Sequence, residues 1–530
     1  MLKLLKILLT LVVFFSIAVW YQLGRMEPAA PTPIEGEKDQ VVVTGEPAIA
    51  SALPFDMPPH PFMASQGVNG MHGDSYSSDV HPGSGPLGNS PQMTTRDGSL
   101  KPGGQCATIT FDSKGRLVAL CTGLTGFNLH LLAPRTLELL AQFPLPIRPS
   151  TFASIKYRDK SHIMDDSSGA YFYLDNQDRV VFADSEQKIR RIGHRQNAEG
   201  QWEFYDVDSW DLSSVVPHDC ITPLNWSPEG ECDPITAVMP DHHGAIWFVT
   251  RRGRYGVLDV TKNDPSQAIK MAQFENEEIQ NGFSVARDGV YIVSDHALYR
   301  MATNAQGEPS IIWKESYDRG TTRKVGSINQ GSGSTPTLLG ERYVTITDNA
   351  DGRINLLVYL RDKDVGKHQS RLICKLPLFN RGSSATDNSM IGFNRSIIVE
   401  NNAGYTHAMG QTDWGAVAGG ITRVDIREDE TGCDVVWQSN EKIPSVVAKL
   451  SAQTGLAYYY GFEPRADGEN EWLIKAIDFR SGKTQFTMSL GSTQSFDNNW
   501  SPITIAPDGT IYVGVLKGLV AIWDNPATAL

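Results

Sequence analysis

Short apolar segments recur along the chain, each followed by a turn and a second apolar segment. Eight copies occur from residue 105 onward: CATITFDSKGRLVAL, HIMDDSSGAYFYL, ITAVMPDHHGAIWFV, FSVARDGVYIV, TPTLLGERYVTIT, NSMIGFNRSIIV, VVAKLSAQTGLAYYY and SPITIAPDGTIYVGV. Their turns contain Asp, Gly or Asn, residues that tolerate the backbone conformations of tight turns. Each copy therefore predicts a β-hairpin.

The hairpins return about every 50 residues, the length of a four-stranded propeller blade. Segments such as HALYRM and SIIWKE follow a hairpin in the places of a third and a fourth strand, and long helical periodicity is absent. Eight copies predict an all-β fold, an eight-bladed β-propeller over residues 101–530. A seven-bladed ring is the alternative if one of the weaker copies is not a blade.

The last copy has only three apolar segments before the chain ends. A four-stranded sheet leaves apolar faces and edges uncovered unless blades pack around an axis. We expect residues 91–96 to supply the missing outer strand, so that both ends of the propeller close the ring. A three-stranded last blade is the alternative.

The first residues carry a targeting signal. Lys3 and Lys6 precede the uncharged run ILLTLVVFFSIAVWYQL at 7–23. A basic start before an apolar stretch of this length predicts a signal-anchor or a signal peptide over residues 1–25. The aromatic pair near the end of the run favours an uncleaved transmembrane anchor. The lysines predict that the bulk of the chain is exported to a periplasmic or extracellular space, with the membrane as a partner.

Composition divides the segment before the propeller. Residues 26–54 are rich in Pro and polar residues and predict a disordered tether. Residues 55–100 also contain Pro, Gly and Ser, but they include aromatic residues and histidines. We therefore expect the second segment to pack on the propeller.

Charge and cysteines narrow the partners and the compartment. The net charge of −13 disfavours binding to nucleic acid, whose phosphates would be repelled. In an exported protein, six cysteines predict disulfides. Cys106 and Cys121 flank a hairpin turn and Cys220 and Cys232 bracket a loop, which leaves Cys374 and Cys433 as the third pair. Six free, buried thiols are the alternative.

The end of the chain resembles a known propeller repeat. The segments AIDFRSGKTQFTMSLGS and SPITIAPDGTIYVGVLKGLVAIWD are similar to the repeat of pyrroloquinoline-quinone-type (quinoprotein-like) propellers, and STPTLLGERYVTITDNADGRINLLVYL matches more weakly. The resemblance implies the fold, whereas the activities of that superfamily differ widely. Its dehydrogenases typically carry adjacent disulfide-bonded cysteines and a calcium held by acid and amide side chains. This chain has no adjacent cysteines and no such set, so the resemblance does not extend to the quinone cofactor.

Polar residues at the openings of the predicted inner strands are the first candidates for a site, because these openings converge on the central channel. Asp and Asn oxygens are ligands that calcium prefers, although the same side chains often satisfy loop backbone groups instead. The candidate ligand-binding residues are Asp387, Asn388, Asp497, Asn498, Asn499 and Trp500, with Lys160, Asn281 and Ser334 at other openings. His162 is the candidate general base, and a structural histidine is the alternative.

A second cluster lies in the sequence MHGDSYSSDVH. His72, Asp74, Asp79 and His81 provide two imidazoles and two carboxylates, a set that suits zinc or another divalent metal. Polar, histidine-containing loops without a metal are the alternative.

Two functions of different classes follow. The first is a membrane-tethered, exported scaffold that binds a protein or a small-molecule ligand through loops around its channel. The second is a metal-dependent enzyme, a hydrolase or an oxidoreductase, with its site in the channel. The sequence does not decide between them, and it does not identify the ligand.

Overall fold

The computed structural model describes residues 30–525, apart from 99–103, 124–125, 263–264, 367, 369 and 407–410. In this part of the chain, the strands form eight sheets that follow one another around a central axis. The second strand of blade 8 contacts the inner strand of blade 1, which closes the ring. The prediction of an all-β, eight-bladed propeller is confirmed.

Each blade is an antiparallel sheet whose first strand lies innermost. Blade 1 consists of Cys106–Phe111, Leu117–Gly123, Gly126–Leu132 and Leu139–Pro144. Blade 2 consists of Tyr173–Leu174, Val180–Ala183, Lys188–Gln196 and Trp202–Asp211. Blade 3 consists of Ile235–Pro240, Ile246–Thr250, Arg254–Leu258 and Ile269–Gln273. Blade 4 consists of Ser284–Ala286, Gly289–Val293, Ala297–Thr303 and Pro309–Ser316.

The second half of the ring has the same plan. Blade 5 consists of Thr337–Leu339, Tyr343–Thr347, Asn355–Leu360 and Leu372–Pro377. Blade 6 consists of Ile391–Phe393, Ser396–Glu400, Ile421–Ile426 and Cys433–Ser439. Blade 7 consists of Lys449–Ser451, Leu456–Pro464, Asn470–Asp478 and Thr484–Ser492. Blade 8 consists of Ile503–Ile505, Ile511–Val515, Gly518–Asp524 and, as its outer strand, Pro91–Asp97.

Among the described residues, helices are short and lie between strands. The α-helices there are Pro149–Tyr157 and Pro265–Ala268, and the 3-10 helices are Lys160–Asp165 and Gln494–Phe496. Inner strands are buried along their length, whereas the outer strand Pro309–Ser316 buries little beyond Trp313. The core is therefore a set of apolar layers between neighbouring blades, the arrangement that makes radial packing stable.

Blade 8 joins the two ends of the propeller. Pro91–Asp97 runs antiparallel to Gly518–Asp524, with Thr94 opposite Ala521. The predicted closing strand is confirmed, and a three-stranded last blade is ruled out by this pairing.

Residues 63–83, which we call the central plug, fill the channel. Backbone hydrogen bonds tie the plug to the inner strands of one blade after another: Ala64 to Leu174, Ser75 to Val285, Tyr76 to Leu338, Ser78 to Gly392 and Asp79 to Leu450. Its last part, Val80–His81, pairs in parallel with the inner strand of blade 7. The polar segment rich in histidine is thus part of the interior of the molecule.

The predicted disordered tether over 26–54 is wrong for much of its length. Glu37–Gly45 is a strand that adds to the outer edge of blade 7, opposite Thr484–Ser492. Ser51 and Leu53 then donate backbone hydrogen bonds to Thr454 and Ala452. The exposed edge of a sheet has unpaired backbone N–H and C=O groups. Hydrogen bonds to these groups order a segment whose own composition predicts no structure.

The predicted signal-anchor or signal peptide over residues 1–25 lies entirely outside the described residues, which begin at residue 30. Within the described ranges, no helix has the length and hydropathy needed to cross a bilayer.

All three predicted disulfides are confirmed. Cys106–Cys121 joins the two inner strands of blade 1, and Cys220–Cys232 closes the loop before blade 3. Cys374–Cys433 joins the outer strands of blades 5 and 6. Cys374–Cys433 is therefore the disulfide that connects two neighbouring blades, whose described outer strands share no backbone hydrogen-bond ladder.

The second predicted hairpin lies elsewhere. We expected the turn at Gly169, but the hairpin joins Tyr173–Leu174 to Val180–Ala183. The turn begins at Asp175, whose carboxylate accepts the backbone N–H groups of Gln177 and Arg179. An Asp that bonds to the backbone two and four residues on makes a stable turn, and this local chemistry overrides the weaker Gly signal.

Candidate functional site

A cavity of about 220 Å³ lies on the axis, at the end of the channel where the inner strands begin. We call it the axial cavity. Its walls come from segments just before the inner strands, and Met71 and His72 of the central plug form part of its lining. Because the central plug occupies the channel next to the cavity, the site is a pocket and not an open pore.

Two acidic residues of the axial cavity, Asp387 and Asp166, each have one buried carboxylate oxygen without a hydrogen-bond partner among the described residues. Asp387 precedes the inner strand of blade 6, is 7% exposed, and its unpartnered oxygen is Oδ1. Burial raises the pKa of Asp387 to about 8, although the Ile328 N–H and the more distant Arg251 and Arg323 favour the ionised form. Gly333 is required here, because a Cβ at that position would lie 2.5 Å from Oδ1.

Asn388 supports the wall of the cavity. Its Nδ2 donates to Glu400 Oε1 at 2.6 Å, and Asn402 Nδ2 donates to the same oxygen at 3.1 Å. The Asn402 side-chain oxygen in turn accepts the backbone N–H of Asp387. Burial raises the pKa of Glu400 to about 8. This network holds the backbone of Asp387 in place.

Aromatic side chains give the cavity a largely apolar surface. Phe127, Tyr171 and Trp500 line it, and the Arg148 guanidinium lies 3.8 Å from the centre of the Phe127 ring. Arg148 is held by the carbonyl oxygen of Asp166 at 2.9 Å. Apolar walls with a few polar groups are typical of sites for small organic ligands.

The segment 497–500 divides between structural and site roles. Asn499 and Trp500 line the cavity, at φ of 41° and 63°. Asp497 faces away and accepts the Tyr405 hydroxyl at 3.0 Å, and burial raises the pKa of Asp497 to about 7. Asn498 bonds to Ser501 and Ser445. The contacts of Asp497 and Asn498 are thus those of side chains that stabilise a loop, which was the alternative to a ligand-binding role.

His162 does not begin an inner strand, contrary to our expectation. It lies on the 3-10 helix Lys160–Asp165, where its Nδ1 is 2.8 Å from Asp165 Oδ2. Its neighbours Ile163 and Met164 line the cavity, whereas His162 does not. Asn281 also lines the cavity, and Ser334 is buried beside it against Thr347. The geometry does not favour His162 as a base acting in the axial cavity.

Three of the four residues predicted to hold a metal, His72, Asp74 and Asp79, bind to other protein groups instead. Asp79 lies between Lys449 and His72, at 2.5 Å from Lys449 Nζ and 3.3 Å from His72 Nδ1. Asp74 accepts the Ser78 hydroxyl at 2.6 Å. His81 lies apart from these, and burial lowers its pKa to about 4. In the ranges that the structure covers, no three His, Cys, Asp or Glu side chains form a group that could hold a metal ion.

Sequence reasoning missed three residues around this site: Arg148, Ser389 and Lys449. Lys449 gave a usable signal, because it stands inside the apolar segment VVAKLS of a predicted inner strand. A lysine in such a strand is buried, and a buried charge needs a counter-ion. Ser389 gave no signal, since its role depends on His72 of a distant segment, whose Nε2 lies 3.2 Å from its Oγ.

Comparison with known proteins adds little beyond the fold. No family model matches the chain. The chain is 25% identical over 323 residues to an uncharacterized protein of Archaeoglobus fulgidus, and the match covers 54% of this chain and 60% of that protein, less than two thirds of its length. The solved Sqt1 of Saccharomyces cerevisiae has 9% identity and a TM-score of 0.45, covering 82% of this chain and 98% of its own. The WD40 domain of Toxoplasma gondii coronin has 9% identity and a TM-score of 0.38, with coverage of 92% and 94%.

Proposed function

We propose that this propeller binds a small organic molecule in the axial cavity, one with an apolar body and a positively charged nitrogen group. The observation that carries the proposal is the buried Asp387 carboxyl, which lies in a cavity lined by aromatic rings and whose Oδ1 has no hydrogen-bond partner among the described residues. A buried acceptor without a donor is unfavourable, and a ligand that supplies the donor removes that cost.

The other lining groups favour the same class of ligand. Gln280 Oε1 and Asp166 Oδ2 are two further buried acceptors of the cavity without a hydrogen-bond partner in the described structure. The faces of Tyr171 and Trp500 are favourable surfaces for a cation. The volume of about 220 Å³ suits a molecule smaller than a typical drug, since drug-sized ligands occupy pockets of about 300–1,000 Å³.

Calorimetric titration tests this proposal with ethanolamine, with choline and with the neutral carbon isostere of choline. We expect the cations to bind more tightly than the neutral isostere. A cation favours the ionised form of Asp387, so binding at pH 7 should release a proton, and the measured heat should depend on the ionisation enthalpy of the buffer.

The matched variants are Asp387→Asn and Asp184→Asn. Asp184 is also a buried aspartate whose Oδ2 accepts no hydrogen bond in the described structure, although Arg190 lies 3.9 Å from it, and it belongs to a turn of blade 2 and not to the cavity. Losing the charged acceptor should weaken cation binding by roughly 10- to 100-fold, whereas Asp184→Asn should leave it unchanged. Equal binding of the neutral isostere, or no effect of Asp387→Asn, would overturn the proposal.

We propose further that the propeller acts outside the cytoplasm, held to a membrane by the apolar run at 7–23. The basic residues before this run and the three disulfides support this placement, because disulfides persist in oxidising compartments. Fractionation of cells with protease added from outside tests it. The chain should sediment with membranes and be cleaved in intact spheroplasts; recovery of an intact chain from the soluble cytoplasm would contradict it.

We also propose a relationship to the pyrroloquinoline-quinone-type propellers that does not extend to their cofactor. The repeat segments of blades 7 and 8 support the relationship. The chain has no two adjacent cysteines, which argues against the quinone site of the dehydrogenases. Absorption spectroscopy after incubation with the quinone, followed by gel filtration, tests this. Co-elution of one quinone per chain would contradict it.

A further inference from the structure

We infer that Ser389, His72 and Asp79 form a nucleophilic triad in the axial cavity, suited to the hydrolysis of small carboxylic esters. Ser389 Oγ lies 3.2 Å from His72 Nε2, and His72 Nδ1 lies 3.3 Å from Asp79 Oδ2. Serine, imidazole and carboxylate in this order are the arrangement that activates a hydroxyl for attack on a carbonyl carbon.

The neighbours of Asp79 determine the role of each ring nitrogen. Lys449 Nζ donates to Asp79 Oδ1 at 2.5 Å, which leaves Asp79 Oδ2 as the acceptor that faces His72. His72 must therefore donate from Nδ1 to Asp79. In neutral His72 the Nε2 then carries the free lone pair, directed at Ser389, as a general base requires.

Burial differs along the triad in the way that catalysis needs. Asp79 is completely buried and His72 is 7% exposed, whereas Ser389 is half-buried. Both Ser389 and His72 line the axial cavity. The nucleophile can therefore meet a substrate while the carboxylate that orients the imidazole stays dry.

The three residues come from two segments that the fold holds together. Ser389 precedes the inner strand of blade 6, and His72 and Asp79 belong to the central plug. Backbone bonds join the plug to the inner strands on both sides of this point, Gly392 to Ser78 at 2.8 Å and Leu450 to Asp79 at 3.0 Å.

The reaction needs only an ester and water. Ser389 Oγ bonds to the ester carbonyl carbon while His72 Nε2 takes the hydroxyl proton. The carbon–oxygen bond to the leaving group then breaks, and His72 returns the proton to the departing alkoxide. Water attacks the acyl-serine in the second half, with His72 again accepting and returning one proton, which releases the acid and restores the hydroxyl.

This inference uses the same cavity as the proposed ligand but does not depend on it. The triad does not include Asp387, and a small reactive probe needs no cation to reach Ser389. A failed cation titration and a failed labelling experiment are therefore separate results. The cavity size limits the substrate to short esters.

The test is covalent labelling of the full chain with a small fluorophosphonate, together with hydrolysis of p-nitrophenyl acetate. Mass spectrometry should find the label on Ser389. Ser389→Ala should abolish labelling. His72→Gln should slow it by about 100-fold or more, the usual contribution of a general base. Ser167 is a half-buried serine of the same wall, and no hydrogen bond joins its hydroxyl to a histidine in the described structure. Ser167→Ala should label like the parent chain.

Two further measurements separate catalysis from folding. Melting curves should show that Ser389→Ala remains folded, and Ser389→Cys should react with iodoacetamide faster than a free thiol because the histidine favours the thiolate. Asp79 is a positioning residue, so its signature is a downfield proton resonance of His72 Nδ1 that Asp79→Asn removes. No label on Ser389 in the folded parent chain, or equal labelling of His72→Gln, would overturn the triad.

Discussion

Lys449 Nζ and Asp79 Oδ1 lie 2.5 Å apart, with both side chains at most 2% exposed. This ion pair joins the inner strand of blade 7 to the central plug. A buried pair is costly to form, but it is far more costly to break on one side, because the remaining charge stays without a counter-ion. The pair therefore ties the plug to a single position in the channel.

Replacing Lys449 with methionine should destabilise the protein by about 3–5 kcal/mol, as expected when one partner of a buried pair is removed. Urea unfolding followed by tryptophan fluorescence measures the free energy of unfolding. Lys188→Met is the control, because Lys188 pairs with Glu186 at the surface. That change should cost less than about 1 kcal/mol. Similar effects of the two variants would show that the plug does not depend on the buried pair.

Asp387 and Glu400 make stability depend on pH. Burial raises the pKa of each to about 8, whereas unfolded carboxyl groups titrate near pH 4. The native state thus keeps protons that the unfolded chain has released. The contribution of these two protonated carboxyls to the free energy of unfolding is complete below about pH 4, and it is lost as the pH rises through their folded pKa near 8.

Asp387→Asn should reduce this loss of stability between pH 4 and 8 by at least about 1.4 kcal/mol, the equivalent of a tenfold change in proton affinity. Unfolding free energies at several pH values give the slope. Asp364→Asn serves as the control, since Asp364 is exposed. An unchanged slope in Asp387→Asn would mean that this carboxyl is already ionised in the native state.

The disulfides should differ in their contribution to stability. Cys374–Cys433 closes 59 residues and Cys220–Cys232 closes 12. Chain entropy then predicts losses of about 4 and about 3 kcal/mol when each pair is changed to alanine. Guanidinium unfolding of the two double variants compares them directly. A larger effect at Cys220–Cys232 would show that the loop before blade 3 contributes more than chain entropy alone.

The strand Pro91–Asp97 should be essential for a closed ring, whereas Glu37–Gly45 should not. Replacing Pro91–Asp97 by a Gly/Ser segment of equal length exposes the edge of Gly518–Asp524 and should cost several kcal/mol or abolish cooperative unfolding. The same replacement of Glu37–Gly45, an added and mostly exposed fifth strand of blade 7, should cost about 1 kcal/mol. Thermal unfolding by calorimetry distinguishes the two. Equal melting temperatures of the two variants would contradict closure of the ring by Pro91–Asp97.

The local pattern of apolar and turn residues predicted most of the blades and those site residues that precede the inner strands. Alternation and turn chemistry located hairpins such as Ser284–Ala286 with Gly289–Val293, because both signals act over a few residues. The same logic placed Asp387 and Trp500 at the openings of inner strands, where the structure has them in the axial cavity. It misplaced the blade 2 hairpin, where Asp175 makes the turn.

The sequence by itself determined the eight-bladed ring from the repeat period, its closure from the strand missing in the last repeat, and the cysteine pairs from two short spacings that left Cys374 and Cys433 as the third pair. Only the tertiary structure decided that residues 63–83 fill the channel and that His72 lies beside Ser389, 317 residues away. No periodic signal links the two, and their contact exists only because the closed ring leaves an axis to fill. The physical reason is that hairpins form from neighbours in sequence, whereas a central site forms from residues that meet only after closure.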